Sequence, residues 1–216
     1  MARDAQPLLI FPCNGNGVEA LDCLGAEFRC IGFVDDEPGK QGTERHGIRV
    51  LTRAALADHP EAQVLAVPGS PTSFRSRRGV ILGLNVPAER FARVVHPSAR
   101  VSPLARLGRN VLIMAGVVVT SNALIGDHVC VLPNTVFHHD VVVGSLSLIG
   151  SNVTVAGNSV VGDNCYIGSG TSIINGVRIG DGALVGLGSN VIRDVPAGAT
   201  VAGNPARPIP TTNRAR

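Results

Sequence analysis

Every sixth residue from Val95 to Val191 is large and apolar, seventeen positions without a slip. All are aliphatic except Phe137. Four residues after each stands a small or β-branched side chain, as in Ala99, Thr135, Ser147, Cys165 and Ser189. Neither an α-helix nor an alternating strand repeats every six residues. A parallel β-helix does, because each hexapeptide supplies one short strand and one corner. Gly follows the aliphatic in eight hexads, and the pair recurs every 18 residues at Leu107, Ile125, Val143, Val161 and Ile179. Three hexads therefore complete a triangular turn, and the stretch makes between five and six turns. The glycines are expected where the corner needs unusual dihedrals.

Composition narrows the function. Aromatics are 3% of the 216 residues and Trp is absent, so the core is aliphatic. The formal net charge is +3 and the cations are scattered, which argues against a nucleic-acid groove. No signal-peptide pattern and no run of 18 apolar residues occurs, so the chain reads as soluble and cytoplasmic, with no membrane partner. Five cysteines, Cys13, Cys23, Cys30, Cys130 and Cys165, follow no pairing pattern and read as small apolar residues.

Residues 1–94 obey another rule. The runs Leu8–Phe11, Cys30–Val34 and Val64–Val67 have strand length and apolar character. A loop, Cys13-Asn14-Gly15-Asn16-Gly17, follows the first and leads into a helical pattern with Val18, Leu21 and Leu24. Asp35 and Asp36 end the second strand; Gly69 follows the third, before a helix expected over Pro71–Leu84. This is a small Rossmann-like parallel sheet of the α/β class. Gly15-x-Gly17-x-x-Ala20 satisfies the dinucleotide fingerprint only loosely, because Gly15 stands four residues past Phe11 and the sheet is short. Backbone N–H groups at the helix start suit a nucleotide phosphate, and Asp35 or Asp36 suits ribose hydroxyls. A plain structural turn is the other reading. Of Arg75, Arg77 and Arg78, one could reach a diphosphate or all could lie on a solvated face.

Within the repeats the anomaly is His138-His139-Asp140, directly after Phe137. Transfer of an acyl group from a thioester to an amine needs a base, and an imidazole serves at neutral pH. A carboxylate on its other ring nitrogen fixes the tautomer. Adjacent strand residues point opposite ways, so direct contact between His139 and Asp140 requires a corner or a neighbouring subunit.

The Gly-loop domain, Gly32-Phe33-Val34-Asp35-Asp36, the His96-Pro97-Ser98-Ala99 junction, His138-His139-Asp140 and the closing Gly203-Asn204-Pro205-Ala206-Arg207 together resemble bacterial sugar acyltransferases. These are the bacillosamine-type nucleotide-amino-sugar N-acetyltransferases and the sialic acid O-acetyltransferase-like proteins. The resemblance implies a left-handed parallel β-helix over 95–196 after a nucleotide-sugar-binding domain over 1–94, with a C-terminal tail over 197–216. It implies a homotrimer, acetyl-CoA as cosubstrate, and a nucleotide-linked amino sugar acceptor in lipopolysaccharide or glycan biosynthesis. Hexad register implies His139 as general base, flanked by Asp140 and His138. It implies a Gly157 N–H for the thioester oxyanion, Gly168 and Gly186 along the pantetheine groove, and Pro205 and Arg207 near the adenine and 3′-phosphate. Asn14, Gly15, Asn16, Gly17, Asp35, Asp36 and Gly69 would hold the acceptor. Leu132 departs from the Asn usual near the acceptor amine, for which Asn134 could substitute, and Leu148 departs from a His near the thioester. These departures point to a different acceptor or to O-transfer. A γ-type carbonic anhydrase needs closely spaced zinc-binding histidines that this pattern lacks, so no metal is expected; a non-catalytic nucleotide-sugar binder is the other rival.

Overall fold

The computed structural model describes residues 5–209. Its N-terminal part is built from β1 (Gln6–Phe11), α1 (Gly15–Glu19), β2 (Phe28–Val34), β3 (Glu44–Arg45), β4 (Ile48–Leu51), α2 (Ala55–Asp58), β5 (Gln63–Ala66) and α3 (Arg77–Leu82). The five strands form one sheet in the order β3-β4-β2-β1-β5, parallel except for the β3–β4 hairpin. The strand runs are continuously apolar because both faces of the sheet are covered. Leu8, Ile10, Phe33 and Leu65 pack on one side; Leu9, Phe11, Val34 and Val64 pack on the other. The helix expected over Pro71–Leu84 is shorter: a 3₁₀ turn at Phe74–Ser76 precedes α3.

From Arg93 the chain winds into a left-handed parallel β-helix with three faces. Face one runs from Arg93–Val95 through Cys130–Val131 and Leu148–Ile149 to Thr200–Ala202. Face two runs from Arg100–Val101 through Val136–Phe137 to Asn190–Val191, and face three from Arg106–Leu107 to Arg178–Ile179. In the two-residue strands from Arg100–Val101 to Asn190–Val191 the second residue points inward. Val119, Phe137, Val155 and Ile173 thus stack in register along face two and are all buried.

The small inward positions join successive coils through hydrogen bonds. Thr135 Oγ1 donates to Gly150 O at 2.7 Å and accepts from Val153 N at 3.1 Å. Ser147 Oγ does the same with Gly162 O and Cys165 N, each at 2.9 Å. Cys165 Sγ makes the equivalent contact to Gly180 O at 3.2 Å, and all five cysteines are free thiols.

The glycines that follow the aliphatics do not supply unusual dihedrals, contrary to expectation: none of the eight has positive φ. They are required by close approach, since a Cβ on Gly126 would stand 2.8 Å from Ser145 N on the next coil. The left-handed residue lies two positions later; it is Asn, Asp, His or Leu in the early coils, Gly116 excepted, and Gly in the later ones, as at Asn122, Asp140, Leu146 and Gly176.

The N-terminal domain lies over face one. The outward residues Leu112, Cys130 and Leu148 are buried there in one cluster with Leu8, Ile10 and Phe74, and Tyr166 and Leu184 pack beside them. Phe74 and Tyr166 meet with ring centroids 5.8 Å apart. At the far end Arg207–Pro208 pairs antiparallel to the last rung; positions 210–216 of the expected tail lie outside the described residues.

Candidate active site

His139 and Asp140 occupy the corner between faces two and three. Asp140 has φ +59°, and this left-handed turn brings its carboxylate back to its neighbour. The His139 Nδ1–H donates to Asp140 Oδ2 at 2.8 Å. Asn122, one coil below, donates Nδ2–H to Asp140 Oδ1 at 3.0 Å. The hydrogen bond from His139, then that from Asn122, holds the Asp140 carboxyl below the usual carboxylate range. With Nδ1 carrying the proton, Nε2 presents a lone pair, and the His139 side chain is half-exposed. His138 is exposed and its side chain makes no hydrogen bond among the described residues.

Gly157 stands one coil above His139. A Cβ there would lie 2.6 Å from His139 Nε2 and 2.7 Å from Cε1, so the ring keeps this position only against a Gly and would have to move for any larger residue. At the corner between faces three and one, the equivalent N–H groups are taken by side chains of the next coil. Arg109 N donates to Asp127 Oδ1 at 2.7 Å, Ser145 N to Asp163 Oδ1 at 2.7 Å and Asp163 N to Asp181 Oδ1 at 2.9 Å. The Gly157 N–H has no such partner among the described residues. It is a donor without a partner, one coil above the His139 ring.

Two coils above His139 a groove of about 500 Å³ opens beside this corner. Ile174 and Ile192 form its apolar wall, and Asn204 and Pro205 close its end. Arg207 is exposed, and among the described residues its guanidinium bonds only to Ala206 O. Gly168, Gly186 and Asn134 lie on the opposite edge of face two, at the corner with face one, so a single chain does not bring them to His139. A Cβ on Gly168 would stand 2.5 Å from Leu187 N, so its glycine serves coil packing.

The N-terminal domain carries its own cleft, of about 480 Å³, lined by Cys13, Asn14, Gly15, Lys40, Arg45 and Val50 among others. Asn14 caps α1 by accepting from Gly17 N at 2.8 Å. Gly17 is buried, and a Cβ there would strike the Pro12 carbonyl; Gly15 faces open space. Asp35 departs from the expected ribose contact. It is buried, with Oδ2 accepting from Cys13 N and Lys40 Nζ and Oδ1 accepting from Glu37 N. Its carboxylate is consumed in organising the loop. Asp36 also departs, because Arg53 holds it in a bidentate pair at 2.6 and 2.7 Å and it does not line the cleft.

A third cavity, of about 180 Å³, lies between the domains. Asn16, Gly69 and Ser70 line it from one side and Leu132, Leu148 and Tyr166 from the other. The two departures noted at Leu132 and Leu148 therefore share one apolar wall. Of the three arginines considered for a diphosphate, Arg77 is wholly buried. Arg75 lies over the Phe74 ring and donates to Gly182 O at 3.2 Å. Arg78 is exposed and lines a separate cavity near His128.

Sequence reasoning did not find Asn122, whose signal is its place 18 residues before Asp140. Lys40 lay in a polar stretch without a pattern. Among the described residues no helix is long and apolar enough to cross a membrane.

The histidine corner stands on a β-helix built of hexapeptide repeats behind a small parallel sheet. The model for the bacterial transferase hexapeptide (six repeats) matches residues 104–137 and 122–157. The acetyltransferase domain of PglB from Neisseria gonorrhoeae, solved with acetyl coenzyme A, is similar at 26% identity and a TM-score of 0.82, over 95% of this chain and 100% of that one. PerB from Caulobacter crescentus, solved with CoA and GDP-perosamine, is similar at 27% identity and a TM-score of 0.81, over 95% and 97%. WeeI from Acinetobacter baumannii is similar at 26% identity and a TM-score of 0.80, over 95% and 100%. Comparison with curated proteins returned no match. The likeness bears out the resemblance to bacterial sugar acyltransferases drawn from the sequence.

Proposed function

We propose that the chain transfers the acetyl group of acetyl-CoA to the amine of a nucleotide-linked amino sugar. The observation that carries this is the His139 ring, oriented by Asp140 and seated on Gly157, in a fold that PglB and PerB share while holding acetyl-CoA, or CoA with GDP-perosamine. His139 Nε2 accepts the proton as the amine attacks the thioester carbonyl. Asp140 stays ionised, keeps the tautomer and stabilises the imidazolium. The Gly157 N–H meets the oxyanion of the tetrahedral intermediate. His139 then returns the proton to the departing thiolate, which leaves as free CoA.

The groove past Ile174 and Ile192 to Pro205 takes the pantetheine arm, and Arg207 meets the phosphate end. The cleft around Asn14–Gly17 takes the nucleotide, with Lys40 and Arg45 near its phosphates. Asn134, Gly168 and Gly186 lie on the edge opposite His139, and the proposed homotrimer brings that edge of a second copy to complete the cleft. Residues 1–94 would serve the acceptor and 95–196 the donor. The reaction is assigned to glycan assembly in the cytoplasm, a reading supported by the nucleotide-sugar ligand of PerB.

Thiol release from acetyl-CoA, measured with GDP-, UDP-, dTDP- and CMP-linked amino sugars, tests the reading. Release with at least one amino sugar and none with its hydroxyl counterpart supports N-transfer. Release only with hydroxyl sugars makes the enzyme an O-acetyltransferase, and no release with any of them makes it a binder. Light scattering that returns a monomer removes the shared cleft.

A further inference from the structure

We propose that Arg77 is a positioning residue for the acceptor: its buried guanidinium fixes the Gly69–Pro71 loop against the β-helix and so sets the shape of the cavity between the domains. The proposal rests on the reading of the chain as a nucleotide-sugar acyltransferase.

No carboxylate pairs with Arg77 among the described residues. All its bonds go to backbone carbonyls: Nε–H donates to Leu146 O at 2.9 Å, Nη2–H to His128 O at 2.6 Å, and Nη1–H to Pro68 O. His128 and Leu146 stand one coil apart at the corner between faces three and one, and both have positive φ. Pro68 belongs to the loop that leaves β5. One planar group thus reads two coils of the β-helix and one loop of the other domain. Burial pushes its pKa down to about 10, which leaves it cationic at neutral pH. A buried charge without a counter-ion is costly, and an apolar side chain would fill the space more cheaply. What an apolar residue lacks is the three-way geometry of the fork.

The surroundings are built to the same end. Gly69 has φ +116°, and a Cβ there would stand 3.0 Å from Arg77 Cγ and 3.1 Å from Leu148 Cδ1. The loop therefore lies directly on the arginine stem. Leu146 accepts a left-handed conformation where Asn110, Asn164 and Gly182 stand in other coils. Its side chain packs in one cluster with Leu9, Phe11 and Ile81 of the N-terminal domain. Asn110 reciprocates from the β-helix: its Oδ1 accepts from Ala66 N at 2.7 Å and its Nδ2–H donates to Ala66 O at 2.8 Å. The loop begins at a clamped strand end, crosses a clamped guanidinium, and then lines the cavity with Asn16, Leu132 and Leu148.

The test uses the full chain and two variants, Arg77→Lys and Gly69→Ala, with acceptor and acetyl-CoA varied separately. One ammonium cannot span three carbonyls, and an added Cβ displaces the loop from the opposite side. Both variants should raise the acceptor KM at least tenfold and leave the acetyl-CoA KM within twofold. A role in stability alone would reduce the active fraction without splitting the two constants. An unchanged acceptor KM in either folded variant, or both constants rising together, overturns the proposal; if Arg77→Lys does not fold, Gly69→Ala decides. A wild-type chain that acetylates no nucleotide amino sugar removes the functional reading and the proposal with it, whereas an active wild type with unsplit constants removes Arg77's role alone.

Discussion

The imidazole of His139 rests on the Cα of Gly157, one coil above it, where a Cβ would come within 2.6 Å of Nε2. Gly157→Ala therefore keeps the backbone N–H but moves the ring. We expect kcat to fall by about 10²-fold, the loss that follows a misplacement of about 1 Å, while acetyl-CoA binding measured by calorimetry is retained. Full activity in this variant would mean that the ring does not act from this seat.

His139→Ala should lower kcat by about 100-fold or more. Asp140→Asn keeps the shape but removes the acceptor that fixes the tautomer, and should cost at least about tenfold. Because His139 and Asn122 hold the Asp140 carboxyl low, its folded pKa lies beneath its unfolded one. Its contribution is present above the unfolded value and is lost only as pH falls through the folded one. An acid limb of the rate near neutrality then belongs to another group. Rate–pH profiles of the wild type and of Asn122→Ala check this: the second should lose rate without moving that limb far.

Asp35 and Asp36 should separate cleanly. Asp35→Asn weakens the bonds to Cys13 N, Glu37 N and Lys40, and should cost about 1–3 kcal/mol of stability in urea unfolding. Asp36→Ala loses an exposed pair with Arg53 and should leave the acceptor KM within twofold. A large rise in that constant would return Asp36 to the binding cleft.

His128 gives a pH dependence of stability. Its Nδ1 lies 3.0 Å from Asn110 Nδ2, a group that can only donate, so the nitrogen accepts and the ring is neutral. Burial first, and then Arg77, hold its pKa below the ordinary histidine value, while Asp127 pulls the other way. The folded pKa is thus lower than the unfolded value of about 6.5. Below that value the unfolded chain takes up a proton that the folded chain refuses, so stability falls with acidification until the folded pKa is passed. The Tm of the wild type should drop more between pH of about 7.5 and 5.5 than that of His128→Asn, in which Asn suits the left-handed turn. Equal slopes would acquit His128.

Cys165→Ser should be nearly neutral, within about 1 kcal/mol, with full activity. The thiol already fills a position that Ser147, Ser159 and Thr171 fill elsewhere, each bonded to a carbonyl of the next coil. A variant that folds but loses acetyl transfer would expose a chemical role for the sulfur.

The β-helix was legible because one inward residue per hexad repeats without interruption, and burial enforces that repeat. The parallel sheet was legible for the same reason in Leu8–Phe11 and Val64–Val67. The β3–β4 hairpin was not, since Glu44–Arg45 is polar and two residues long. The pairing of His139 with Asp140 depended on a left-handed aspartate, whose place in the recurring Asn- and Gly-rich corner position of the hexad was not read from the sequence. The seating of the N-terminal domain was written in every third hexad, where Leu112, Cys130, Leu148, Tyr166 and Leu184 point outward; the period of six concealed this longer period of 18. Asp35 was read as a ribose contact, and Arg77 as either a diphosphate contact or part of a solvated helix face, because charge suggests solvent or ligand; burial has instead turned both toward the chain's own backbone.

That outward strip on face one has a consequence for engineering. A β-helix expressed alone from residue 95 would present Leu112, Cys130, Leu148 and Tyr166 to water as one greasy ribbon and should precipitate. Chimeras that exchange acceptor domains between such enzymes would therefore need the ribbon carried across with its cover, so that altered sugar preference travels with both surfaces rather than with either half.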